Sequence, residues 1–153
     1  MKHKLIMILA LCICAAQLCA CANVTEKQNV LCISVEQKDS FGESGALNIR
    51  TTTLSSDGRF STGISSGQLQ DGAFEKLAKM ACKEDFIKVP DAIDTGIMDG
   101  HFTHIKIEFD DGSVLRKGGL IAEEFGPKAF RGLYEAINKA VQAGALDPRS
   151  TAN

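Results

Sequence analysis

The amino-acid sequence predicts an α+β domain: an antiparallel sheet of about five strands with two amphipathic helices on one face, in the order β-β-β-α-β-β-α. Three observations lead there. Apolar side chains alternate at period two in "NVLCISVEQ" and "HFTHIKIEF", as strands with one wet face require. The dipeptides Asp57-Gly58 and Asp111-Gly112 each follow a strand-like segment, where a hairpin would turn. Two further stretches carry apolar residues at the three-and-four spacing of a helix with one buried side.

In chain order, the first strand places Leu31, Ile33 and Val35 on one face and Cys32, Ser34 and Glu36 on the other. Residues 39–46, "DSFGESGA", form a turn-rich loop by their Asp, Ser and Gly content. "LNIRTTTL" is a second strand, rich in β-branched residues. Asp57-Gly58 then predicts a type I′ turn, with positive φ at both central residues, and "RFSTG" returns as a short third strand. Asp71 is placed to cap a helix through "GAFEKLAKMACK", whose buried stripe is Phe74, Leu77, Ala78 and Ala81. Glu75 and Lys79 pair outside that stripe. Pro90 blocks continuation after "DFIKVP", and "DAIDTGIMDG" reads as an acidic loop.

"HFTHIKIEF" turns Thr103, Ile105, Ile107 and Phe109 inward and His104, Lys106 and Glu108 outward, and the chain returns through "SVLRKG". Gly126-Pro127 opens the last helix, because proline suits the first helical position. Its stripe is Phe130, Leu133, Tyr134, Ile137 and Val141, and Gly144 ends it. Both Asp-Gly turns precede an Ala-Phe-x-x-Leu helix, at Ala73 and at Ala129. That echo fits a duplicated ββα unit, or simply the turn and apolar stripe that every ββα unit needs.

The N-terminus "MKHKLIMILALCICAAQLCACA" has the three parts of a secretory signal: basic Lys2 and Lys4, an apolar run over residues 5–16, and small residues at the cut. The run is too short to cross a bilayer core, which needs about 20 apolar residues. Leu18-Cys19-Ala20-Cys21 resembles a bacterial lipobox, with Cys19 a departure at a position where small or aliphatic residues are usual. The resemblance implies cleavage before Cys21, lipidation of Cys21, and outer-membrane retention facing the periplasm, since Ala22 rather than Asp follows the cysteine. The alternative cut, after Ala22, would use Ala20-Cys21-Ala22 and leave a secreted or soluble periplasmic protein. The expected organisation is a signal peptide over 1–20, a lipid-anchor tether over 21–28, one α+β domain over 29–144 and a flexible tail over 145–153.

Either cut removes Cys12, Cys14 and Cys19 and leaves Cys32 and Cys82 in the body. In an oxidising compartment these two form one disulfide, or else pack as two buried free thiols. Removing Lys2 and Lys4 leaves 15 of the 17 basic residues against 19 acidic ones, a net charge of −4 with no basic run, which speaks against nucleic-acid binding. No Cys-x-x-Cys or Cys/His spacing for zinc and no EF-hand spacing appears, so no metal or cofactor is expected.

The motifs that could carry chemistry are few. Gly63-Ile64-Ser65-Ser66-Gly67 matches the G-x-S-x-G nucleophile elbow, with Ser65 as the candidate nucleophile of a serine hydrolase. Such an elbow needs a central parallel strand and a buried His–acid pair, which antiparallel hairpins do not offer. Asp94-Thr95-Gly96 matches the aspartic-protease triplet but lacks flanking hydrophobic strands. His101 and His104, three apart on a strand, point to opposite faces. Phe41, a lone aromatic in a Gly/Ser loop, is a candidate partner-binding anchor or else folds back onto the core.

On "FGESGALNIRTTTLSSDGR", "LAKMACKEDFIKVP", "THIKIEFDDG" and the final helix, the chain resembles emfourin-type inhibitors of thermolysin-like metalloproteases over residues 29–143. The family's Gly-Gly-aromatic start is not reproduced, because Glu43 and Ser44 separate Phe41-Gly42 from Gly45, and no binding residue is carried over. The resemblance implies a non-enzymatic domain that inhibits a peptidase. The expected partners are the membrane, through the lipid anchor, and a protein, either a peptidase or a delivered toxin to which this chain confers immunity. A purely structural envelope role and a hydrolase using Ser65 are the competing expectations.

Overall fold

The structure is a computed structural model that describes residues 28–39, 48–94, 101–121 and 126–145. The α+β class holds, with more elements than the sequence predicts. Seven strands form one sheet: β1 (Val30–Asp39), β2 (Asn48–Ser55), β3 (Arg59–Ser61), β4 (Ser66–Gln68), β5 (Ile93–Asp94), β6 (His101–Phe109) and β7 (Val114–Ile121). Among the described residues three helices accompany it: α1 (Ala73–Ala81), α2 (Glu84–Ile87) and α3 (Lys128–Ala145). The expected five strands and two helices are thus corrected to seven and three. The additions are the short elements β4, β5 and α2, whose two to four residues carry too little periodicity to be read.

The order across the sheet is β4-β3-β2-β1-β6-β7-β5. The chain steps outward from β1 to β4, crosses through the helices, and re-enters at the opposite edge. Every pair is antiparallel except β5 with β7, so the sheet is mixed. β5 lies inside the segment expected to be an acidic loop.

One face of the sheet and all three helices share a single core. Ile33, Val35, Leu54, Phe60, Ile105, Ile107 and Phe109 meet Leu77, Phe86, Phe130, Leu133 and Ile137. The inward set of β6 lies where the alternation places it. In β1 the expectation fails at one residue. Leu31 is 47% exposed while Val30 is buried, because the β1–β6 register shifts between Val30 and Cys32. A bulge of this kind leaves one residue without a cross-strand partner and re-aims its side chain.

The Asp-Gly turns differ from the expected I′ geometry. Positive φ occurs at Gly58 (83°) and Gly112 (82°) and at no non-glycine among the described residues. Gly58 N–H donates to the Ser55 carbonyl at 2.9 Å, and Gly112 N–H to the Phe109 carbonyl at 3.0 Å. Both are type I turns closed by a left-handed glycine, the usual three-residue hairpin loop.

Two helix ends are also corrected. Gly72, left-handed at φ 73°, is the N-cap of α1, and Asp71 makes no capping bond. Gly144 lies inside α3 rather than ending it. A Cβ there would fall 2.5 Å from the Gln68 carbonyl oxygen, so glycine lets the helix press onto β4.

Candidate protein-binding face

The other face of the sheet carries no described helix, and cross-strand register fixes what it displays. Ile49, Lys38, Phe102 and Leu120 form one row across β2, β1, β6 and β7. The next row is Thr51, Glu36, His104 and Gly118. Lys106 and Arg116 continue the face, and Val114 lies at its far end opposite Glu108. Ile49 is 57%, Val114 55% and Phe102 40% exposed. The face is therefore apolar at both ends and charged in the middle.

The charges in the middle are paired with each other. Lys106 Nζ lies 2.6 Å from Glu108 Oε1, and Arg116 Nη2 lies 3.4 Å from Glu36 Oε2. Lys106 is held protonated above the usual lysine range, first by its hydrogen bond to Glu108. His104 sits among them with Nδ1 buried and unbonded. Burial first, then the Arg116 cation, pushes its pKa below the usual histidine value. The neutral imidazole is favoured there because protonation would put a third cation beside Arg116 and Lys38.

On the helix side, Gln37 Nε2 donates to the Tyr134 hydroxyl at 2.7 Å and roofs a cavity of about 70 Å³ between α3 and the sheet. Thr103 and Arg131 line it, and Arg131 Nε is buried without a hydrogen-bond partner. The space suits one or two waters. Neither this cavity nor the open-face histidine was marked in the sequence as a site. Only the outward position of His104 was legible.

The expected site residues fall far apart. Gly63 to Ser65 lie in the tip joining β3 to β4 and Ser66 and Gly67 in β4 itself, and Ser65 Oγ lies 2.9 Å from Thr62 Oγ1. No described histidine contacts Ser65. Asp94 belongs to the parallel edge strand β5, and Asp91 bonds Lys117. Cys32 and Cys82 are free thiols that the structure does not bring together. Cys32 Sγ lies on the open face 3.6 Å from Ser34 Oγ, whereas Cys82 follows α1 and packs on the core, which raises its pKa. Cys21, the tether up to residue 27, Phe41 and residues 146–153 of the C-terminal tail lie outside the described residues, as does the His101 side chain. Among the described residues no group of three or more His, Cys, Asp or Glu is placed to hold a metal, and no helix is long and apolar enough to cross a membrane.

No family model, curated protein or solved structure matches this chain.

Proposed function

We propose that this protein is a bacterial envelope lipoprotein, anchored through Cys21, whose domain works by binding another protein, with a peptidase as the favoured partner. The observation that carries the reading is the sheet face that no described helix covers, with Phe102 and Ile49 exposed in one row. Aromatic and aliphatic side chains held on a rigid sheet are the groups that dominate interface energetics. The mid-face charges already pair with one another, so a partner that desolvates them leaves fewer of them unsatisfied. The peptidase version rests on the emfourin resemblance, and the anchor rests on the lipobox.

Two experiments test it. Palmitate labelling of the wild type and of Cys21→Ser is expected to mark the wild type alone; equal labelling, or none, ends the anchor. The soluble chain from Ala22 is expected to inhibit a thermolysin-like metallopeptidase near stoichiometric ratio, and Phe102→Glu to abolish that inhibition. Failure to inhibit removes the peptidase. Capture from envelope fractions of a stoichiometric toxin lost on Phe102→Glu would reassign the partner. No Phe102-dependent partner of any kind would end the binding reading.

A further inference from the structure

The solvent side of the helix layer is basic in an acidic protein. Residues 73–88 and 128–145, which hold α1, α2 and α3, carry seven Lys and Arg against four Asp and Glu, a net charge of +3. The remainder of the processed chain carries eight against fifteen, a net charge of −7. Lys76 and Lys79 lie across α1 from its buried Phe74, Leu77 and Ala81. Lys128 and Lys139 are about three turns apart on α3, away from Phe130, Leu133 and Ile137. Lys83 stands at the start of α2. All five lysines are exposed. Among the described residues the only ion pair in this layer joins Lys88 to Glu84, and the expected Glu75–Lys79 pair does not form. The five ammonium groups are therefore not neutralised by neighbours.

A groove of about 500 Å³ opens between Lys83 and Lys128. Met80, Phe86 and Ala129 give it apolar walls, and Asp85 lies at its side. Gly132 adds no side chain to it, and a Cβ there would meet nothing within 4 Å. Cations rimming an apolar recess match a phospholipid headgroup, whose phosphate is anionic and whose glycerol esters are uncharged.

We infer that the helix layer docks on a bilayer surface rich in anionic phospholipid. This rests on the lipid-anchor reading and adds how the anchored domain stands. Charge complementarity is the first argument, since lysines near such a surface are attracted to it individually. Reach is the second. A tether over residues 21–28 spans at most about 28 Å. A domain anchored through Cys21 therefore stays close to the lipid, and that confinement amplifies a weak attraction. An acidic protein has no such advantage as occupant. Orientation is the third. The helices share a core with one face of the sheet, so their solvent side lies opposite the open face. Docking turns Ile49, Phe102 and Val114 away from the bilayer, toward a protein partner.

The test is cosedimentation of the processed chain from Ala22, which contains every described element and no acyl chain, with vesicles of phosphatidylcholine alone and of equimolar phosphatidylglycerol and phosphatidylcholine. At about 50 mM salt the chain is expected to bind the phosphatidylglycerol vesicles at roughly millimolar lipid and to ignore phosphatidylcholine. At about 0.5 M salt, where the Debye length is under about 5 Å, binding is expected to be lost. Joint substitution of Lys76→Gln, Lys79→Gln and Lys83→Gln is expected to weaken it at least about tenfold. Glutamine keeps the helix propensity of lysine, so the fold is retained. The same loss of charge on the open face, by Lys38→Gln, Lys106→Gln and Arg116→Gln, is expected to change binding less than about threefold. Absence of phosphatidylglycerol-dependent binding, equal weakening by the two triple variants, or tighter binding to polyglutamate than to the vesicles would each overturn the inference, the last assigning the face to an acidic protein. Palmitate labelling of Cys21 separates the two readings. A labelled protein whose unacylated chain ignores the vesicles keeps its anchor and has no docked helix face; an unlabelled one that binds them keeps the docking surface alone.

Discussion

The Lys117 ammonium lies 2.6 Å from the Asp91 carboxylate, although the lysine side chain is 8% exposed and the aspartate 82%. Lys117 is paired with Ile105 on the helix side of the sheet, so its stem runs through the core and only its head reaches the rim. The pair connects β7 to the chain that enters β5. Because Asp91 stands in solvent, Asp91→Asn is expected to cost only about 0.5–1 kcal/mol. Lys117→Met keeps the stem and stays within about 1 kcal/mol of the wild type. Lys117→Ala loses the packing and costs on the order of 2 kcal/mol. Urea unfolding ranks the three; Asp91→Asn as the most damaging would show that the charge, not the stem, holds this rim.

Gly119 and Gly132 predict opposite responses to alanine. Gly119 has φ 156°, and a Cβ there would fall 2.1 Å from the Ile93 carbonyl oxygen, across the parallel β5–β7 contact. Gly119→Ala is expected to destabilise by about 3 kcal/mol, from strain and from pushing β5 away. Gly132 lies in the interior of α3 with open space around its Cβ position. Gly132→Ala stabilises by about 0.5–1 kcal/mol. Thermal unfolding of both variants decides.

His104 gives the fold an acid sensitivity above the carboxylate range. Its folded pKa is depressed by burial and by Arg116, so the unfolded chain binds the proton more readily. The stabilisation is fully present above the unfolded value of 6.5 and is lost as pH falls from there through the folded pKa. Glu36 opposes the shift and Lys38 adds to it. His104→Gln is expected to flatten stability between roughly pH 7 and 5, read by chemical denaturation at each pH. A variant that keeps the wild-type slope would place the sensitivity elsewhere.

The bulge in β1 reverses two residues that look equivalent in the sequence. Ile33 is fully buried, and Ile33→Ala is expected to cost about 3 kcal/mol. Leu31 is half exposed, and Leu31→Ser is expected to change stability by less than about 1 kcal/mol. Equal losses would mean that Leu31 shares the core.

The long elements were legible for a plain reason. β6 has nine residues and α3 eighteen, enough for period two or period 3.6 to repeat and identify the buried face. Ile105, Ile107, Phe130, Leu133 and Ile137 are read correctly from spacing alone. The two Asp-Gly sites were legible as turns because the left-handed position favours glycine, but I′ and type I turns share that signal. The candidate face was legible only as the outward halves of β1 and β6. Its apolar row depends on which strands lie beside β6, and register is a property of pairs.

By itself the sequence determined the class, the two long helical stripes and the hairpins, because each is written in local spacing and composition. Only the tertiary structure decided that β1 lies between β2 and β6, that β5 joins β7 in parallel, and that Ile49 and Phe102 share a row while Cys32 and Cys82 stay apart. Those relations join residues far apart in the chain. Strand pairing and core packing, rather than the intrinsic preference of any segment, select among the registers each segment allows.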